Sequence, residues 1–131
     1  MNATTALTPY DAIGGEAAVV AIVSRFYDIM DRDPAYARLR TLHAADLAPV
    51  RNGLARFIAG WLGGPRDWFD RGQCVMSIHR AFHIDTVLAA QWSEAMSRAI
   101  AGQDGITSEL QAKLVDALGH MARAMVSPLT D

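Results

Sequence analysis

An all-α domain is what this sequence predicts, and three observations predict it. Apolar residues recur at three- and four-residue steps along most of the 131 residues, the period of a helix with one buried face. No segment alternates with a strand period, and no short turn separates β-branched runs. The pairs Gly14-Gly15 and Gly63-Gly64 fall where helical stripes stop, and glycine takes the left-handed dihedrals that close a helix at little cost.

The elements follow in order. Thr8-Pro9-Tyr10-Asp11 opens the first helix: threonine caps, and proline suits the first helical position because its missing N–H is not needed there. Gly14-Gly15 ends it almost at once. From Glu16 a second helix carries Val19, Val20, Val23, Phe26, Tyr27 and Met30 on one stripe. Asp33-Pro34 stops it, since the residue before a proline avoids helical dihedrals. A short helical piece over residues 35–42 follows. Asp46 is placed to cap the next helix, striped by Leu47, Val50, Leu54, Phe57, Ile58 and Trp61 and ended by Gly63-Gly64-Pro65. Residues 65–73 lack a regular period and read as mostly loop, and 74–81 as a short helix. Asp85 opens a strongly amphipathic helix with Ile84, Val87, Leu88, Trp92, Ala95, Met96 and Ile100, broken at Gly102 and Gly105. Thr107 caps the last helix, whose stripe is Leu110, Leu114, Leu118, Met121, Ala122 and Met125.

Composition narrows the function. Residues 1–131 are expected to form one domain, with 1–7 as a flexible tail, long enough to bury about two-thirds of the unfolded surface. Apolar residues make up 51% and charged residues 20%, and the net charge of -2 leaves no basic excess for nucleic acid. The single cysteine, Cys74, excludes an internal disulfide framework and a Cys-rich zinc site; it reads as a small core residue. No apolar run approaches the roughly 18 residues needed to span a bilayer, and residues 1–7 lack the basic and apolar segments of a secretory signal. A cytoplasmic location and no membrane association are expected. The ends of the chain leave monomer and homodimer both open.

Four histidines are available: His43, His79, His83 and His120. His79 and His83 are four apart, which places two imidazoles on one helical face as zinc sites do, but no third ligand follows and Arg80 adds positive charge between them. His120 reads as an ordinary solvated or hydrogen-bonded side chain. His79 differs because Val75, Met76, Ile78, Ala81 and Phe82 surround it with apolar groups. A neutral ring nitrogen in such a wall needs a hydrogen bond or a metal. Haem iron takes one protein histidine, and its porphyrin covers an apolar wall; satisfied core histidines are commoner. Tyr27 and Trp92 lie on apolar stripes, so their polar tips need partners. Backbone carbonyls would serve. So would one small polar ligand on which Tyr27, Trp92 and His43 converge. The residues alone leave both open.

The ordered pieces resemble a known family. Tyr10-Asp11-Ala12-Ile13-Gly14-Gly15, Val23-Ser24-Arg25-Phe26-Tyr27, Gly60-Trp61-Leu62-Gly63-Gly64-Pro65-Arg66, His79 upstream of Phe82-His83-Ile84, and Gln91-Trp92-Ser93-Glu94-Ala95-Met96 together resemble the truncated haemoglobins of the second group. The likeness spans nearly the whole chain, and its specificity lies in order and spacing. It implies a shortened globin: two helix pairs stacked two-over-two around haem b.

The resemblance implies His79 as the proximal iron ligand, Tyr27 and Trp92 as distal residues, and His43 at the loop position beside the pocket. Val50 falls where ordinary globins carry a distal histidine, and Leu54 lies one turn deeper. Phe57, Met76, Phe82, Val87, Leu88 and Met96 complete the expected pocket. The ligands implied are dioxygen, nitric oxide, carbon monoxide or peroxide. Tyr27, Trp92 and His43 would donate hydrogen bonds to a partly negative ligand, giving tight, slow-releasing dioxygen binding. Nitric oxide oxidation or peroxidase-like turnover would need an external reductase, since no flavin or nicotinamide motif is present. A ligand store or haem-based sensor acting through a partner is the alternative. The segment Arg71-Gly72-Gln73-Cys74-Val75-Met76-Ser77-Ile78 departs from the family, which carries a basic, His-Pro-containing stretch with arginine directly before the proximal histidine. That leaves Arg66 and Arg71 open between pairing with a haem propionate and being solvated. Trp61 and Trp68 read as packing residues, with contact to the haem edge as the alternative, and Met125, like Met96, as core or pocket wall.

Overall fold

The computed structural model describes residues 8–66 and 84–126. Among them run α1 (Pro9–Ile13), α2 (Gly15–Arg32), a 3-10 turn (Pro34–Tyr36), α3 (Ala37–Thr41), α4 (Ala48–Trp61), α5 (Thr86–Ala101) and α6 (Ser108–Ala124), with no strand. The segment that carries Trp68, Cys74, Met76, His79, Phe82 and His83 lies outside the described residues, as do the expected loop over 65–73, apart from its first two residues, and the expected helix over 74–81.

Helix α2 packs on α4, α5 packs on α6, and α2 also meets α5. Two helix pairs are thereby stacked one over the other, as expected from the sequence. The join is apolar. Val19, Val23, Phe26, Tyr27 and Met30 of α2 and Ala95, Met96, Ala99 and Ile100 of α5 are each 4% exposed or less. Burying one such Val, Ile, Met or Phe side chain contributes about 1.5–3 kcal/mol.

The caps explain where the helices begin. Thr8, Asp85 and Thr107 each accept a backbone N–H with the side chain, from Asp11, Leu88 and Leu110 respectively. Each satisfies one of the orphan donors of a first turn. Asp46 behaves differently from expectation. Helix α4 starts at Ala48 with Leu47 as its N-cap, and the Asp46 carboxylate accepts the Ala48 N–H at 3.0 Å from one position upstream. Pro49 needs no donor partner in that first turn, so the helix forms without a side chain at the cap itself.

One glycine is required by close approach. A Cβ at Gly64 would lie 2.6 Å from the Tyr10 ring, which rests there while the Tyr10 N–H bonds the Leu62 carbonyl at 3.0 Å. That contact docks α1 on the end of α4. Gly102 has ordinary right-handed dihedrals, so the end of α5 does not depend on a left-handed glycine at this position. A Cβ there would instead meet Arg25 at 2.8 Å. Arg25 donates to the Ala99 carbonyl at 2.8 Å and to Gln103 Oε1 at 3.3 Å, tying α2 to the last turn of α5.

Candidate functional site

The stripe of α2 turns Tyr27 inward, where its side chain is buried. Its ring meets Phe26 edge-on at 4.9 Å between centroids, and Phe26 meets Trp92 of α5 edge-on at 5.3 Å. On the other side Tyr27 meets the His43 ring at 5.8 Å. Both the distances and the edge-on geometry suit aromatic pairs. A row of four rings therefore runs from the loop after α3, through α2, to α5 (His43, Tyr27, Phe26, Trp92). Three of them are the residues for which the sequence raised a common ligand. Phe26, fully buried between two of them, joins the row as the packing residue that spaces Tyr27 from Trp92.

Among the described residues, neither the Tyr27 hydroxyl nor the Trp92 indole N–H makes a hydrogen bond. No backbone carbonyl among the described residues serves either tip. Burial pushes the Tyr27 phenol up to about 12, with the Arg51 charge pulling the other way. At neutral pH it is an O–H donor, not a phenolate.

His43 is held by its own turn. Nδ1 lies 3.0 Å from the Leu39 carbonyl oxygen. A carbonyl only accepts, so Nδ1 carries the hydrogen and Nε2 of the neutral ring is an acceptor. The Tyr27 hydroxyl and the Trp92 indole N–H carry a hydrogen to donate whatever the state of that ring.

The described apolar residues expected around the site divide into three sets. Val50 and Leu54 sit half-buried on α4 against the core. Phe57, Leu88 and Met96 are buried. Val87 is 52% exposed and is not part of the buried stripe of α5, which runs through Leu88, Ala89, Ala95, Met96, Ala99 and Ile100. It lies on the helix face shared with exposed Ala90 and Glu94. His79, Met76 and Phe82 lie outside the described residues. His120 is exposed and bonds the Asp116 carbonyl at 2.9 Å, an ordinary surface role.

Arg51 went unnoticed in the sequence. Its guanidinium carbon sits 5.9 Å from the Tyr27 centroid, with Nη2 on Asp28 Oδ1 at 3.0 Å and Nη1 on the Ser24 carbonyl at 3.4 Å. It clips α4 to α2 beside the tyrosine. The only local hint is its place next to Val50.

This two-over-two stack, with a buried tyrosine and a tryptophan whose polar tips have no partner among the described residues, defines a small haem-binding globin. The chain belongs to the bacterial-like globin family, whose model matches residues 8–127. It is similar to a cold-adapted truncated haemoglobin from the Antarctic marine bacterium Pseudoalteromonas haloplanktis, with 33% identity and a TM-score of 0.89 over 94% of this chain and 100% of that one. A group II 2-on-2 haemoglobin from the plant pathogen Agrobacterium tumefaciens matches at 28% identity and a TM-score of 0.89, over 96% and 98%. A haemoglobin from the thermophilic phototrophic bacterium Chloroflexus aurantiacus matches at 30% and 0.83, over 94% and 100%. Within the family its place is with the group II truncated haemoglobins.

The cofactor is haem with its iron. The described residues fit it on the distal side. Val50 and Leu54 supply an incompletely covered apolar surface, and the Tyr27 hydroxyl and Trp92 indole N–H are donors with no acceptor among the described residues. No described helix is long and apolar enough to cross a membrane.

Proposed function

We propose that this globin binds dioxygen tightly and releases it slowly, with Tyr27 and Trp92 as the donors that hold it and His79 as the proximal iron ligand. The observation that carries this reading is the pair of inward-turned donors without a hydrogen-bond partner among the described residues. The haem supplies an iron that binds a diatomic ligand and leaves partial negative charge on it. Tyr27 is protonated at neutral pH, three units below even the ordinary phenol value of 10.0, and burial raises it further to about 12, so its hydrogen is available to that charge. The Trp92 indole has no acceptor capacity and can only donate. Hydrogen bonds to a charged acceptor are roughly twice as strong as neutral ones. Val50, which has no polar atom in its side chain, adds shape and keeps water out.

His43 contributes an acceptor beside the phenol in the neutral protein and a donor only when protonated. Phe26 fixes the spacing between the two donors. With two donors and an excluded solvent, the pocket favours dioxygen over carbon monoxide, which carries less charge. Oxidation of nitric oxide by the dioxygen-loaded protein is the turnover such a pocket supports, with electrons from an external reductase.

Dioxygen dissociation from Tyr27→Phe and Trp92→Leu tests the donors. Each is expected to release faster by tenfold or so, the loss of one charge-assisted bond of about 1.4 kcal/mol. Unchanged rates in both would sink the reading. His79→Ala is expected to abolish the absorption spectrum of histidine-ligated haem, and nitric oxide consumption with a reductant reads the turnover.

A further inference from the structure

We infer that Arg40 is the positioning residue for His43, and that through His43 it shapes the ligand pocket beside Tyr27. The inference rests on the pocket proposed above. Arg40 lies in α3 with its side chain largely covered. Its Nε bonds Asp31 Oδ1 at 2.9 Å near the end of α2. The other two nitrogens reach three successive backbone carbonyls: Nη1 to His43 at 3.5 Å and Ala44 at 3.0 Å, and Nη2 to Ala45 at 3.1 Å. One planar fork thus pins residues 43–45 to the α2 end. Only a guanidinium has enough directed donors for this; an ammonium cannot present the same fork.

The clamp acts on the residue that matters. With the backbone at 43–45 held, and the His43 N–H on the Arg40 carbonyl at 3.0 Å, the imidazole is placed to give Nδ1–H to the Leu39 carbonyl. That bond sets the tautomer, and the same placement lays the ring edge-on to Tyr27. Without the clamp, residues 43–45 gain freedom, the ring leaves its acceptor, and the wall beside the phenol opens to water that competes for its hydrogen. Arg40 touches no pocket ligand itself.

The test uses the haem-loaded protein. Nitrogen-15 NMR of the carbon monoxide form reads the His43 tautomer, and stopped flow reads dioxygen dissociation. The native ring is expected as the Nδ1–H tautomer, and Arg40→Gln is expected to shift it toward Nε2–H. Dissociation should rise about threefold or more in Arg40→Gln, and by less than about twofold when His43→Ala is already present, because coupled residues are not additive. An unchanged tautomer overturns the inference, as does a rate effect that is absent or as large without His43. Should Arg40→Gln fail to hold haem, Arg40→Lys is read instead: it keeps the Asp31 pair, and native values in both readouts would overturn the clamp. The tautomer measurement does not depend on Tyr27 or Trp92 donating, so failure of that reading is seen separately in their own variants.

Discussion

The Arg51 guanidinium stands 5.9 Å from the centre of the Tyr27 ring while its two ends grip Asp28 and the Ser24 carbonyl. A cation at this range is attracted to the ring face by about 0.5–1 kcal/mol when partly exposed. The same residue spans the α2–α4 join, so it stiffens the helix that carries the tyrosine. Arg51→Met keeps the length and removes the charge. It is expected to lower stability by about 1 kcal/mol and to speed dioxygen release a few-fold, with Arg51→Lys between it and the native protein. Urea unfolding and stopped flow check both.

Tyr27 also ties stability to alkaline pH. Its folded pKa, about 12, lies above the ordinary value of 10.0. Between these values the unfolded chain has lost the phenolic proton and the folded chain keeps it, so stability falls as pH rises. Below pH 10 the effect is absent. Two units correspond to about 2–3 kcal/mol. Tyr27→Phe is expected to flatten the loss of stability between pH 10 and 12, measured by denaturant unfolding at fixed pH. Tyr36, whose phenol is raised by burial and by Glu94, supplies a remaining part of the slope.

The buried Tyr36 hydroxyl donates to Glu94 Oε1 at 2.6 Å, and Arg98 reaches both that hydroxyl, at 3.2 Å, and Asp33 Oδ2, at 2.8 Å. This knot ties the turn after α2 to α5, two residues beyond Trp92. Tyr36→Phe is expected to cost about 1–3 kcal/mol, while the solvent-screened Arg98–Asp33 pair alone contributes little. A thermal unfolding series of Tyr36→Phe and Asp33→Asn compares the two.

Gly64→Ala places a methyl 2.6 Å from the Tyr10 ring. The ring or the α4 end must move, an overpacking cost of about 1–3 kcal/mol. The loss should vanish in a Tyr10→Ala background, measured by the same unfolding series.

The sequence read well where the physics is local. Thr8, Asp85 and Thr107 announce helix starts because a cap is a bond within one turn, and Pro34 announces a stop for the same reason. Tyr27 and Trp92 were legible as inward-facing because a helical stripe repeats within the helix. The contacts between helices were not. Arg40, Arg51 and Arg98 look like surface charges until α2, α3, α4 and α5 bring carbonyls and carboxylates to them. Val87 fits the apolar period yet is exposed, because the packing partners of α5 meet its Leu88 and Ala89 side. The tautomer of His43 is likewise a product of the α3 turn, four residues back. The resemblance placed the residue at the pocket but not its hydrogen.

Under the proposed function, Tyr27 and Trp92 act by donating hydrogen bonds to a charged ligand. Dissociation of dioxygen and of carbon monoxide from the Tyr27→Phe, Trp92→Phe double variant tests it most directly. Dioxygen release is expected to be faster by about a hundredfold, two bonds of about 1.4 kcal/mol each, with carbon monoxide release changed only a few-fold. Equal changes for the two ligands, or none for either, would contradict it.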